Sequence, residues 1–217
     1  DPTVKWLPRK LLWENYALAI SGLNYFKAIG MTTLISLLAA LFQMFSCAMT
    51  GYALARMNIP GKGLLFAVVL LTFLIPAQTL VIPLFVTYSK LGWLNTPLPF
   101  LVPALFSQGI KGALFIVIFR QFFISLPKEL EESSKIDGAG AFRTYWKIML
   151  PLARPALLVV FLFSLVWHWN DYFEPSLYLR NGDFVPLSLS LQYLQMNLDL
   201  YFKPMGAIPF DLNEPIK

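Results

Sequence analysis

Between Lys27 and Arg56 the chain carries no charged residue, and the stretch includes "MTTLISLLAALFQMFSCAMTGYALA". A helix rises about 1.5 Å per residue, so about 20 apolar residues cross the hydrocarbon layer of a bilayer. The run predicts a membrane helix over 28–55. A second uncharged run lies between Lys62 and Lys90 and predicts a span over 63–89. Its Pro76 and Pro83 each remove a helix hydrogen bond, so kinks or breaks are expected there. A third, from Leu91 to Phe119, is interrupted only by Lys111 and predicts a span over 95–119. The fourth begins after Arg154 with "PALLVVFLFSLVWHWN" and grades into Asp171 and Glu174, giving a span over 153–176.

The reading is an all-α integral membrane protein, a polytopic helical bundle forming one domain over 1–217. Composition agrees. Charged residues make up 13% and hydrophobic ones 57%, whereas soluble domains carry about 25% charge and need polar surface this chain lacks. The net charge of +5 fits basic loops on the cytoplasmic side of a membrane rather than a nucleic-acid patch. Cys47 is the single cysteine and sits inside an apolar run, so neither a disulfide framework nor a thiolate metal site is available.

Orientation follows from the short loops. "RMNIPGK" holds Arg56 and Lys62 without an acid, and the segment 120–152 adds Lys128, Lys135, Arg143 and Lys147. The positive-inside rule puts both on the cytoplasmic side and both termini outside, although Lys5, Arg9, Lys10 and Lys27 precede the first span.

The larger of those loops contains "EESSKIDGAG" at 131–140. A short helix is expected here. Pro127 suits a first helical position, and Glu129, Glu131 and Glu132 favour the positive end of the helix dipole. Lys135 lies near the other end, and Gly138 stands where a left-handed cap belongs. Leu130, Ser133, Ser134 and Asp137 share one mostly small face. A second helix follows, with Phe142, Tyr145, Trp146, Met149 and Leu150 as one stripe and Arg143, Lys147 and Arg154 on another face. A solvated loop helix followed by an interfacial one explains the stripe, but leaves the small face and the glycine without a purpose.

"ELEESSKIDGAGAFRTYWKIMLPLARPAL" resembles the cytoplasmic-loop signature of permease subunits of ATP-binding-cassette importers. That signature runs Glu-Ala-Ala, three residues, Gly, nine residues, Ile, then Leu-Pro. Here Glu132, Ser133 and Ser134 occupy its first positions, with Gly138, Ile148, Leu150 and Pro151 following in register. Serine for alanine is a small-for-small departure that keeps close packing possible. "GYALARMNIPGKGLLF", "LLTFLIPAQTLVIPLFVTYSKLGWLNTPL" and "WHWNDYFEPSLYL" resemble the carbohydrate branch, its maltose-type second permease.

The resemblance implies several things together. The loop would form a coupling helix that docks into a groove of a separate ATPase subunit, with Glu129, Glu131, Glu132, Ser133, Ser134, Asp137, Gly138 and Ala139 as the coupling residues. Closure of two ATPases would tilt the permease between inward-facing and outward-facing states. Partners would be a homologous second permease, two ATPase subunits, an extracellular solute-binding protein, the sugar and the lipid bilayer. No cofactor would belong to this subunit, since ATP and Mg serve the ATPases. Location would be the bacterial cytoplasmic membrane, multi-pass. Six spans are usual in such permeases, so a first and a last span are expected to lie beyond this sequence, and 180–217 to be an ordered external loop reaching the binding protein.

Other polar residues carry less specific signals. His168 reads as an interfacial histidine among belt tryptophans, or else Trp169, Asn170 and Asp171 line the sugar path, with Gln78 as a further candidate. Lys111 faces a cavity or snorkels to an interface, and Gln43 suits an interhelical hydrogen bond. No GxxxxGK[ST] phosphate loop occurs, which places ATP hydrolysis elsewhere. No cluster of metal ligands or serine–histidine set is evident either. A transporter driven by an ion gradient is the alternative. It would need carboxylates within the membrane, and the first three runs have none.

Overall fold

Small residues on one long helix organise the bundle. The computed structural model describes residues 13–179 and 184–202, and among these every regular element is helical. After α1 (Trp13–Gly22) comes α2 (Tyr25–Arg56), among the described residues the single unbroken helix long and apolar enough to cross a membrane. The bent pairs Lys62–Leu74 with Gln78–Lys90 and Ala141–Leu152 with Arg154–Asn170 reach that length and apolarity only together. Its buried positions include Ala28, Ser36, Ala39, Ala40, Ser46, Cys47, Ala48 and Gly51. Lipid offers no hydrophobic drive for helices to pair, so close backbone approach and dispersion must do it, and small side chains permit that approach. At Gly51 a Cβ would fall 2.6 Å from Phe119 Cβ and 2.9 Å from the Arg120 amide nitrogen.

Around α2 pack α5 (Leu98–Leu105), α6 (Gly112–Ser125) and α10 (Arg154–Asn170). Phe115, Phe119 and Phe123 recur every four residues along α6 and are fully buried against Cys47, Ala48, Tyr52, Met149 and Val160. By contrast α3 (Lys62–Leu74) and α4 (Ala77–Lys90) bury almost nothing apart from Tyr88. They are separated at Pro76, whose ring excludes an amide donor, while α4 runs on through Pro83.

The third apolar run is not one helix, contrary to the expected span over 95–119. It breaks between Leu105 and Gly112 through a turn in which Ser107, Gly109 and Lys111 take left-handed φ values of 60°, 87° and 58°. The cause is local: the Gln108 amide folds back to the Pro103 carbonyl, and Gly112 lies so close to Ser107 that a Cβ would sit 2.4 Å from its carbonyl oxygen. The break frees carbonyls at membrane depth, which must then be satisfied by protein. Gln43 of α2, fully buried, supplies both donors, to Gln108 O at 3.0 Å and Ile110 O at 2.9 Å. Its Oε1 accepts from Ser164 Oγ on α10 at 2.7 Å, and His168 Nδ1 lies 2.8 Å from Ser164 O. Gln43 is thus an interhelical link, and His168 belongs to the same buried network rather than to an open interface.

The fourth run also ends sooner than 176, because α10 stops at Asn170 and a separate helix α11 (Phe173–Tyr178) follows. There Tyr178 packs edge-on against Tyr88 and its carbonyl accepts from the Asn95 amide at 2.8 Å. Of the described residues 184–202 in 180–217, Leu187–Phe202 form a helix, α12, rather than the ordered loop expected from the sequence. Leucine, glutamine and methionine are good helix formers, so an alternating pattern lost to propensity. α12 is tied to α2 by the Leu187 amide donating to Thr32 Oγ1 at 2.7 Å.

Candidate coupling site

At the end of the bundle that holds both basic loops, the chain leaves α6 and forms α7 (Glu129–Ile136). Lys128 precedes it as N-cap, so Pro127 lies outside the helix rather than at its first position. Glu129, Glu131 and Glu132 occupy the first turn, where the exposed amide dipoles favour negative charge. The helix closes with the Gly138 amide on Lys135 O at 3.0 Å and the Ala139 amide on Ser134 O at 2.9 Å. This paired closure needs a left-handed residue, and Gly138 has φ +75°.

α7 has two distinct sides. Ser134 is buried, its hydroxyl 2.8 Å from Thr144 Oγ1 in α8 (Ala141–Thr144). Glu131 turns inward as well: Arg56 at the end of α2 approaches it at 3.7 Å, with side chains 7% and 13% exposed. The same guanidinium donates to Phe123 O, at 2.8 and 2.6 Å, and to Leu126 O, the terminal carbonyls of α6. Glu129, Glu132, Ser133, Ile136 and Asp137 face outward, Gly138 is exposed and Ala139 half-buried. The small face expected from Leu130, Ser133, Ser134 and Asp137 is therefore divided, with Ser134 inside and Ser133 and Asp137 outside.

The aromatic stripe is divided too. Tyr145, Met149 and Leu150 are buried, whereas Phe142 is 73% and Trp146 44% exposed. Residues Tyr145–Met149 form a π-helical turn, followed by α9 (Leu150–Leu152) and a 77° bend into α10. A π turn is wider than 3.6 residues, so positions predicted to align rotate apart. Tyr145 packs at a tilt of 39° against Tyr52 of α2 with ring centroids 5.1 Å apart, and burial pushes its phenol up to about 12. Ile136, 86% exposed, is a feature sequence reasoning missed. Its spacing from Glu129, Glu132 and Ser133 at helical intervals was the available signal.

The other candidates do not gather into a site. Gln78 is exposed near the start of α4, and no hydrogen bond joins it to Trp169, Asn170 or Asp171 among the described residues. Trp169 is 37% exposed, and Asn170 is spent on Val166 O at 2.8 Å. Asp171 is half-buried, its Oδ1 accepting from the Phe173 amide at 3.0 Å and its carbonyl from Ser188 Oγ at 2.7 Å. Lys111 is exposed, its ammonium 5.9 Å from the Trp167 ring centroid. A group of histidine, cysteine and carboxylates able to hold a metal is absent among the described residues.

A helical membrane bundle carrying an exposed, glycine-closed loop helix is the architecture of a transport permease. Residues 47–209 match the family described as binding-protein-dependent transport system inner membrane component, and the chain belongs to that family. It is 30% identical over 210 residues to the probable starch degradation products transport system permease protein AmyC of Thermoanaerobacterium thermosulfurigenes, covering 94% of this chain and 75% of that one. Identity is 32% to the arabinooligosaccharides transport system permease protein AraQ of Halalkalibacterium halodurans, over 86% and 66% of the two chains. The diacetylchitobiose uptake system permease protein NgcG of Streptomyces coelicolor is 34% identical, over 78% and 55%. The chain thus spans between about half and three quarters of the length of these relatives. A crystal structure of a bacterial ABC transporter involved in the import of the acidic polysaccharide alginate shares the fold, with TM-score 0.77, 24% identity and coverage of 92% and 69%. The protein is an all-α, multi-pass component of the inner membrane.

Proposed function

We propose that this chain is the permease subunit of an ATP-binding-cassette sugar importer, forming the translocation path together with a homologous second permease. Oligosaccharides are the substrate class, as the names of the related permeases suggest. Separate ATPase subunits, using ATP and Mg, dock on the open side of α7 formed by Glu129, Glu132, Ser133, Ile136 and Asp137. The observation that carries this reading is the division of α7. One side is built into the bundle through Glu131 and Ser134, and the other offers carboxylates and an uncovered isoleucine. An external solute-binding protein delivers the sugar at the opposite end, where Gln192 lies exposed on α12.

The test is reconstitution of this chain with its second permease, ATPase and binding protein in vesicles. Oligosaccharide uptake should require ATP and stop when the ATPase subunit is omitted, and a cysteine at Gln192 should label from outside. Uptake that follows an ion gradient and ignores ATP would sink the assignment in favour of a secondary transporter.

A further inference from the structure

We propose that Arg56 is a positioning residue that carries displacement of α7 into α2, through one guanidinium shared between the Glu131 carboxylate and the carbonyl end of α6. The inference rests on the proposed docking of ATPase subunits at α7. Covalent continuity already ties α7 to α6 and α8, but α2 lies far away in sequence. A cleft of about 310 Å³, lined by Asn58, Lys62, Ile124, Lys128, Glu132 and Lys135, separates the adjoining face of α7 from the end of α2 and the turn that follows. Arg56 and Glu131 also line that cleft, and their 3.7 Å pair joins α2 to α7 there.

The guanidinium is held in place for a physical reason, and Glu131 meets it by charge alone, its buried Oε1 making no hydrogen bond among the described residues. Arginine presents a planar fork of donors, and here three of its contacts are oxygens from different places: Phe123 O, Leu126 O and Glu131 Oε1. A cation at a helix C-terminus is favourable, so the guanidinium is fixed to α6 before it meets the carboxylate. One turn before Arg56, Tyr52 sits edge-on to Phe123 at 5.5 Å, and Gly51 meets the Phe119 backbone without a side chain between them. The ends of α2 and α6 therefore behave as one unit. Glu131 is the handle by which α7 moves it, and α2 contacts both α5 and α10. Glu131 is accordingly spent within the chain, whereas Glu129 and Glu132 remain for a partner's cations.

The experiment uses the assembled importer and compares wild type with Glu131→Gln, Arg56→Lys and Arg56→Gln. Glu131→Gln keeps the shape but loses the charge that the 3.7 Å ion pair depends on, and Arg56→Lys keeps the charge but loses the fork. ATPase subunits should still copurify with Glu131→Gln and Arg56→Lys, while sugar transported per ATP hydrolysed falls roughly tenfold, the scale of an ordinary coupling free energy. A purely structural role would lower yield and thermal stability and leave that ratio alone. Should Arg56→Gln fail to fold, Glu131→Gln still decides. A wild-type ratio in Glu131→Gln overturns the proposal, and so does loss of ATPase copurification, which would make the pair part of the dock. Absence of ATP-driven uptake by the wild type overturns the functional assignment itself, a distinct result.

Discussion

The hydroxyls of Ser134 and Thr144 lie 2.8 Å apart in a site where both residues are almost fully buried, 2% and 4% exposed. Thr144 also donates to Gly140 O at 3.1 Å, so it keeps a partner if the serine is lost. Ser134→Ala should therefore cost no more than about 1 kcal/mol, and uptake should stay within about twofold of wild type. Ser134→Leu forces extra methylenes into a closed contact and should cost about 1–3 kcal/mol. Thermal unfolding of the purified complex separates the two. Equal melting temperatures for the alanine and leucine variants would show that α7 is not seated on α8 as described.

Gln43 offers a test of the membrane-depth break. Gln43→Leu is close in volume but leaves Gln108 O, Ile110 O and the Ser164 hydroxyl without their shared partner. An unsatisfied buried polar group costs about 1–3 kcal/mol, so a clear drop in thermal stability is expected, with a smaller one for Ser164→Ala. If Gln43→Leu melts at the wild-type temperature, water or a moving backbone already serves those carbonyls.

These two sites differ in how far the sequence revealed them. Apolar run lengths exposed the helices, and Gly138 with three acids six to nine residues ahead of it exposed α7, because both are local patterns. The break at Phe106–Lys111 was hidden in an apolar stretch. The carbonyls it frees are met by a donor 65 residues away on α2, which no local pattern records. The same applies to Glu131. Counted as an acid in a first turn, it looked free for a partner, and only the fold brings Arg56 to it. The π turn at Tyr145–Met149 likewise defeated a stripe drawn at 3.6 residues per turn.

Packing of α2 on α6 predicts opposite outcomes at two glycines. At Gly51 a Cβ would press on Phe119 and on backbone, so Gly51→Ala should separate the helices and cost about 1–3 kcal/mol. Gly30, in the same helix, has nothing within 4 Å of its added Cβ. Gly30→Ala should be neutral or stabilise by about 0.5–1 kcal/mol, because alanine loses less backbone entropy in a helix. Yield of folded protein and melting temperature in detergent check both, and a Gly51→Ala protein as stable as wild type would deny the close approach.

Gly138 is the position at which backbone geometry should control coupling. Its φ of +75° suits glycine, and its Cβ direction is open, with nothing within 4 Å. Substitution therefore strains the chain without a steric clash. Asparagine tolerates the left-handed region, alanine pays roughly 1 kcal/mol, and a β-branched valine more. Uptake per ATP hydrolysed should fall in the order Gly138→Asn, Gly138→Ala, Gly138→Val, as the bonds from Gly138 and Ala139 to Lys135 O and Ser134 O are lost. All three variants should insert into the membrane, since the residue lies in the loop after α7. Glu132→Lys should act differently, reversing a charge at the positive end of α7 while leaving its closing turn intact, so ATPase recruitment weakens first. Should Gly138→Val and Gly138→Asn couple equally well, the left-handed turn has no part in docking, and the open side of α7 is an ordinary solvated surface.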